Sequence, residues 1–193
     1  MKCLEQLSCL IALSLWLIGC AQERTYLSEE IKSINPYQQG QKLIFMSDMG
    51  TESSLLITGV QDGQFPDGIG AFYNERMIVK AYRQSRSARD GTEERILTFL
   101  GETDKEKEQI DFSISLKECA LVMKAVPLSE YLNRLELHID TSFESYDDVL
   151  IYEKPVNPRM YDRAVIEFWW SKSKGYVRLV QKNGTIWDLK SIE

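Results

Sequence analysis

Histidine occurs once in this chain of 193 residues, as His138, and cysteine four times, as Cys3, Cys9, Cys20 and Cys119. No two cysteines stand in a Cys-x-x-Cys spacing, so neither a structural zinc site nor a dithiol redox centre can be read. A catalytic thiol needs an activating base, and the lone imidazole lies 19 positions beyond Cys119. Gly-x-Ser-x-Gly, a glycine-rich phosphate loop and His-Glu-x-x-His are missing too. Acidic residues are plentiful, but a glycosidase pair is defined by a carboxylate separation of roughly 5 to 9.5 Å, which sequence does not supply. The chain reads as a protein that binds rather than reacts, with no catalytic residue, cofactor or metal assigned.

A sustained helical period is scarce as well. From Ala21 onward the best candidate, Leu116 to Leu132, is broken by Pro127. Internal repeats and low-complexity tracts are absent. The apolar run near the start, Leu7 to Ile18, has 12 residues, whereas a spanning helix needs roughly 20. A formal charge of -6 argues against nucleic acid and gives no attraction to anionic lipid heads.

That apolar run has the length of the h-region of a secretory signal peptide, behind a positive start at Lys2 that Glu5 weakens. Two cleavage readings compete. Gly19-Cys20-Ala21 is a small-x-small site that would release a free soluble chain beginning near Gln22. Leu17-Ile18-Gly19-Cys20, in contrast, resembles the lipobox of bacterial lipoproteins. The resemblance implies that Cys20 receives a diacylglyceryl group through its sulfur, becomes the N-terminus and is acylated there as well. Each buried methylene is worth about 0.8 kcal/mol, and two or more chains hold stably where one does not. In that family an aspartate after the cysteine retains the protein at the inner membrane; Ala21 stands here, which favours the outer membrane.

On this reading residues 1–19 are removed with Cys3 and Cys9, and 174 residues remain with the charge unchanged. They divide into a tether, residues 20–40, and one domain, residues 41–193. The tether carries one short helix candidate from Ser28, which would cap it ahead of Glu29 and Glu30 and end at Asn35-Pro36. Cys119, in "KECALVM", reads as a buried small apolar residue.

From Lys42 the recurrent pattern is period two, the mark of half-buried strands. In "IDFSISL" Ile110, Phe112, Ile114 and Leu116 alternate with polar residues, and in "LELHID" Leu135, Leu137 and Ile139 face one way. Less regular runs lie at Leu43 to Met46, Leu55 to Val60, Met77 to Tyr82, Ile96 to Leu100 and Val149 to Tyr152. Turn signals separate them at Asp62-Gly63, Pro66-Asp67-Gly68 and Asp90-Gly91. The expected fold is all-β and antiparallel, a sandwich or a lipocalin-like or half-open barrel, with at most one or two short helices.

The C-terminal meander specifies a register. A three-residue loop, Lys182-Asn183-Gly184, pairs Val177 with Leu189, Leu179 with Trp187, and Arg178 with Asp188. A four-residue loop from Lys172 to Gly175 sets Trp170 opposite Val177 and Phe168 opposite Leu179. Ile166, Phe168, Trp170, Val177, Leu179, Trp187 and Leu189 then form an apolar inner face, while Glu167, Trp169, Tyr176, Arg178, Val180, Ile186 and Asp188 face out. "WSKSKGYVRLVQKNGTIWDL" and "INPYQQGQKLIFMSDMGTESSLLITGV" resemble the closing hairpins and opening strands of small uncharacterised lipoproteins of Gram-negative bacteria. That likeness concerns fold and location and implies no activity.

Several residues are candidates for binding. Trp169, Tyr176 and Arg178 on the outer face would form a stacking platform for a glycan, a peptide or a partner protein, or else pack under a covering layer. Glu136, His138 and Asp140 share one face of a strand, yet too few ligand types gather there for zinc, and a solvated polar face is expected. The acidic stretch with Asp140, Glu144, Asp147 and Asp148 lacks EF-hand spacing. Arg83, Arg86, Arg89, Glu93 and Glu94 read as a self-neutralising hairpin tip. The expected partners are the membrane, through acylated Cys20, and either a hydrophobic ligand in an apolar pocket or an envelope protein or glycan on an outer face. No nucleic acid is expected.

Overall fold

A computed structural model describes residues 27, 33–66, 73–83, 93–100, 108–153 and 161–193. Eleven strands make up almost all of it: β1 (Lys42–Ser47), β2 (Glu52–Pro66), β3 (Tyr73–Arg83), β4 (Glu93–Leu100), β5 (Gln109–Ser115), β6 (Ala120–Pro127), β7 (Leu137–Asp140), β8 (Ser145–Glu153), β9 (Val165–Ser171), β10 (Gly175–Gln181) and β11 (Ile186–Ile192). One short helix, α1 (Leu128–Asn133), links β6 to β7.

The strands form one antiparallel sheet in the order β6-β5-β4-β3-β2-β1-β11-β10-β9-β8-β7. Two meanders are thus joined where β1 pairs with β11, and the sheet folds over so that its halves pack as a sandwich. β6 and β7 stay at the two ends of the order, so the sheet is not a closed barrel. Away from the ladders, a parallel bridge between Ala120 and Ala164 brings the start of β6 to the start of β9.

The core between the halves is aromatic. Phe112 of β5 lies 5.3 Å from Tyr152, 5.2 Å from Phe168, 5.0 Å from Trp170 and 6.3 Å from Tyr176, centroid to centroid. These offset and edge-on contacts add to the burial of large apolar surfaces. Leu27 and Tyr37, from the segment ahead of β1, belong to the same buried cluster.

The strand periodicity holds best in β5, whose residues alternate between half-buried and buried along its whole length. One feature follows the expected break at Pro127 and one departs from expectation. The helix candidate Leu116 to Leu132 is mostly strand: Ala120–Pro127 is β6, and only Leu128–Asn133 is helical. Pro127 sits at φ -59°, ψ 138°, an extended conformation that ends the strand and opens the helix, whose Leu128 and Tyr131 reach the core. Asp62-Gly63 is no turn but lies inside β2, opposite Met77 and Arg76, because the long partner β3 carries the ladder past it. Residues 67–72 and 84–92, with Asp67-Gly68, Arg86, Arg89 and Asp90-Gly91, lie outside the described residues, as do residues 28–32 of the candidate helix; Ser33 and Ile34 are helical and Asn35 is not.

In the C-terminal hairpin Leu179 faces Trp187 and Arg178 faces Asp188, around a loop whose Gly184 has φ +89°. That is the expected register and turn. The β9–β10 pairing is half as expected: Phe168 faces Leu179, but Trp170 faces Tyr176 instead of Val177. The loop is one residue shorter, with Gly175 already opposite Ser171, and a bulge between Tyr176 and Arg178 absorbs the difference. Gly175 has φ +86°, and a Cβ there would overlap the Tyr37 ring, so only glycine fits. Tyr37 Oη in turn accepts a hydrogen bond from the Tyr176 amide at 3.0 Å.

Candidate functional site

The outward platform expected from Trp169, Tyr176 and Arg178 loses one member. Tyr176 is fully buried, with its hydroxyl donating to the Ile96 carbonyl at 3.2 Å and its ring against Phe112, Phe168 and Trp170. The bulge is the reason: the extra residue at Val177 turns Tyr176 inward while Arg178 stays outward.

Trp169 and Arg178 do meet, with the guanidinium carbon 4.2 Å from the ring centroid. Both are already engaged. Arg178 Nε and Nη2 donate to the two Asp188 oxygens at 2.5 and 2.8 Å, and Trp169 Nε1 donates to Glu167 at 2.6 Å. Asp188 also accepts from the amide and hydroxyl of Ser142 at 3.0 and 2.7 Å, which fastens the β7–β8 loop over β11. Burial pushes the Asp188 carboxyl up, but its bonds from Arg178 and Ser142 outweigh that and leave it below its ordinary value. Beside this pair Ser47, Phe143 and Ile186 help to line a cleft of about 290 Å³.

The polar candidates on β7 and β8 disperse among separate partners. Glu136 bonds Lys172 Nζ at 2.5 Å. His138 lies 2.5 Å from Asp147 and 3.8 Å from Asp140, all three exposed. Asp148 accepts from Ser171 Oγ at 2.7 Å and from the Ser173 amide at 2.8 Å, and Asp140 accepts from Ser145 Oγ at 2.5 Å. The Glu144 carbonyl accepts from Thr141. Among the described residues no three of His, Cys, Asp and Glu converge on a metal-sized position.

A groove of about 560 Å³ lies at the seam of the folded sheet. Its size falls in the range of roughly 300–1,000 Å³ usual for small-molecule sites. One wall is the turn from β5 to β6, closed by a bond from the Leu116 amide to the Cys119 carbonyl at 2.8 Å; the other is the approach to β9 at Tyr161, Arg163 and Ala164. Leu116, Cys119, Ala120 and Val122 supply apolar lining, and Val122 is 51% and Tyr161 86% exposed. Cys119 is buried and in no disulfide among the described residues, as expected of a small apolar residue.

Gln181 holds the two walls together. It is 2% exposed, and its side-chain amide donates to the Glu118 carbonyl at 2.6 Å and the Arg163 carbonyl at 3.0 Å. Next to it the Lys182 amide donates to the Ala164 carbonyl at 2.9 Å. The sequence held a signal for Gln181: it continues the inward face of Val177 and Leu179 with a polar residue, and a polar group buried on an apolar face must find partners.

Cys20, the residue that the lipobox resemblance marks for acylation, lies outside the described residues. No helix among the described residues is long and apolar enough to cross a membrane. No protein-family model, curated protein or solved structure matches the chain.

Proposed function

We propose that this chain is a lipid-anchored binding domain of the bacterial cell envelope, held through acylated Cys20 with the outer membrane favoured, and that it takes a hydrophobic ligand in the groove at the seam. The observation that carries the ligand reading is the groove itself, an open apolar recess whose walls are fixed by a buried glutamine. The interior of the sandwich, where a lipocalin-like carrier would hold its cargo, is filled around Phe112 by interlocking rings. The cargo therefore belongs at the seam and not inside.

The lipid anchor fits the placement of the segment ahead of β1. Leu27 is already buried in the core. Leu27 lies seven positions beyond Cys20, a span of at most about 25 Å. An acylated Cys20 would keep the domain close to the bilayer, within reach of lipids that leave it. The alternative, docking of a glycan or protein on Trp169 and Arg178, is weaker because Tyr176 is buried and Arg178 already bonds Asp188 through Nε and Nη2.

Native mass spectrometry of the purified chain, after exposure to complete and delipidated envelope extracts, tests the carrier reading. A lipid-sized mass increment is expected from the complete extract alone, and it should vanish in Val122→Glu, which puts a carboxylate on the groove wall. A bare mass after both extracts defeats the carrier reading. Intact mass of the chain expressed in a Gram-negative host tests the anchor separately: the acyl increment should disappear in Cys20→Ala.

A further inference from the structure

The groove wall carries two cations that no carboxylate among the described residues pairs with. Lys117 sits in the β5–β6 turn and Arg163 at the approach to β9, and both line the groove and are exposed. Neither makes an ion pair among the described residues. Elsewhere Lys42, Arg134, Lys172, Arg178, Lys182 and Lys190 each lie within 4.0 Å of a carboxylate. Arg95 and Lys174 also make no ion pair among the described residues, but neither lines this groove. One carboxylate, Glu118, faces the same groove, so the rim keeps a surplus positive charge in a chain whose formal charge is -6.

Resting on the ligand reading above, we propose that the groove takes a single-chain amphiphile with an anionic head, a carboxylate or a phosphate monoester, whose acyl chain lies along Leu116, Ala120 and Val122 while Lys117 and Arg163 bind the head. An apolar slot accepts a methylene chain without direction, and charge at its rim decides which end stays outside. A guanidinium presents a planar fork that matches either oxyanion, and the flexible ammonium supplies a second charge-assisted bond. Gln181 keeps the two cations facing the same recess by tying the backbone of Glu118 to that of Arg163.

The test is calorimetric titration of the purified chain with palmitate, palmitoyl lysophosphatidate and methyl palmitate, the last being an uncharged chain of equal length. At least one anionic amphiphile should bind tenfold or more tightly than the ester, with the advantage shrinking as salt rises. In Lys117→Gln/Arg163→Gln that preference should collapse to within twofold while ester binding persists. Which anion wins separates a carboxylate site from a phosphate site. Equal binding of ester and anions by the unaltered chain overturns the head-group proposal and leaves the groove reading standing. Binding of none of the three overturns both. Thermal unfolding of the double variant should match the parent, so a loss of binding cannot be laid to misfolding.

Discussion

Two surfaces of this sandwich place an arginine beside apolar side chains, and they are built in opposite ways. At Arg178 two guanidinium nitrogens bond Asp188, the plane rests on Trp169, and Ser142 completes the coordination of the carboxylate. At Arg163 the side chain stands exposed at the edge of an apolar recess and makes no ion pair among the described residues. The first arrangement is a closed network that holds a loop on a sheet. The second leaves bonding capacity for a partner that is not part of the chain. A tryptophan beside an arginine attracts attention in a sequence, yet capacity to bind depends on what the fold has left unpaired.

The sharpest way to break this comparison is to weigh the two regions by stability. Phe112→Ala, in the aromatic centre, should cost about 3–5 kcal/mol in urea unfolding, as large-to-small changes at fully buried rings do. Lys117→Gln/Arg163→Gln should stay within about 0.5 kcal/mol of the parent, since both side chains are exposed and make no ion pair among the described residues. Comparable losses from the two would mean that the seam is structural and not a site.

Asp188→Ala comes next. It leaves the half-buried Arg178 without its partner, and removing one member of a buried pair costs about 3 kcal/mol. The pH dependence has a definite sign. The folded-state pKa of Asp188 is depressed, so its stabilisation is complete above the ordinary carboxylate value of 3.8 and is lost as pH falls below it. Measured between pH 6 and pH 2, the stability gap between parent and Asp188→Asn should narrow on the acid side. A gap that widens there would contradict the closed network.

A smaller effect, about 1–2 kcal/mol, is expected for Gln181→Leu, which keeps volume on an apolar face but leaves the Glu118 and Arg163 carbonyls without their donor. The informative readout is ligand affinity. If Gln181 fixes the spacing of the two rim cations, the variant should weaken binding of the anionic amphiphile several-fold more than binding of the ester. Equal weakening of both would reduce Gln181 to general support of the groove.

Most of the strand set was legible because one face of each strand is buried and the period shows directly, as in Ile110, Phe112 and Ile114. The last hairpin was legible down to its register because Asn183-Gly184 allows few loops and only one of them matched apolar with apolar. Tyr176 was misplaced because its orientation is set by Tyr37, 139 residues away, whose hydroxyl caps the Tyr176 amide and whose ring demands Gly175. No local pattern carries that information. The groove was hidden for the same kind of reason: its walls come from residues 115–122 and 161–164 and meet at the Ala120–Ala164 bridge and at Gln181. Sequence periodicity reports which face is buried, whereas a site at a seam depends on which ends meet.

The smallest expected effect tests whether the exposed charges of β7 and β8 belong with the closed region or with the open one. His138 is exposed, and its bond to Asp147, with Asp140 adding to the field, raises its pKa above 6.5. A raised folded-state value means that any stabilisation is complete below pH 6.5 and fades as pH climbs through the folded pKa. Because the chain has a single histidine, its imidazole protons titrate as one resolvable set in an NMR spectrum. The titration midpoint should lie above 6.5 and move down in Asp147→Asn, while the affinity of the groove for its ligand stays the same. Invariance of the midpoint would show that the contact does not persist in solution. A coupled change in ligand affinity would instead tie this hairpin to the seam and dissolve the distinction between the two regions.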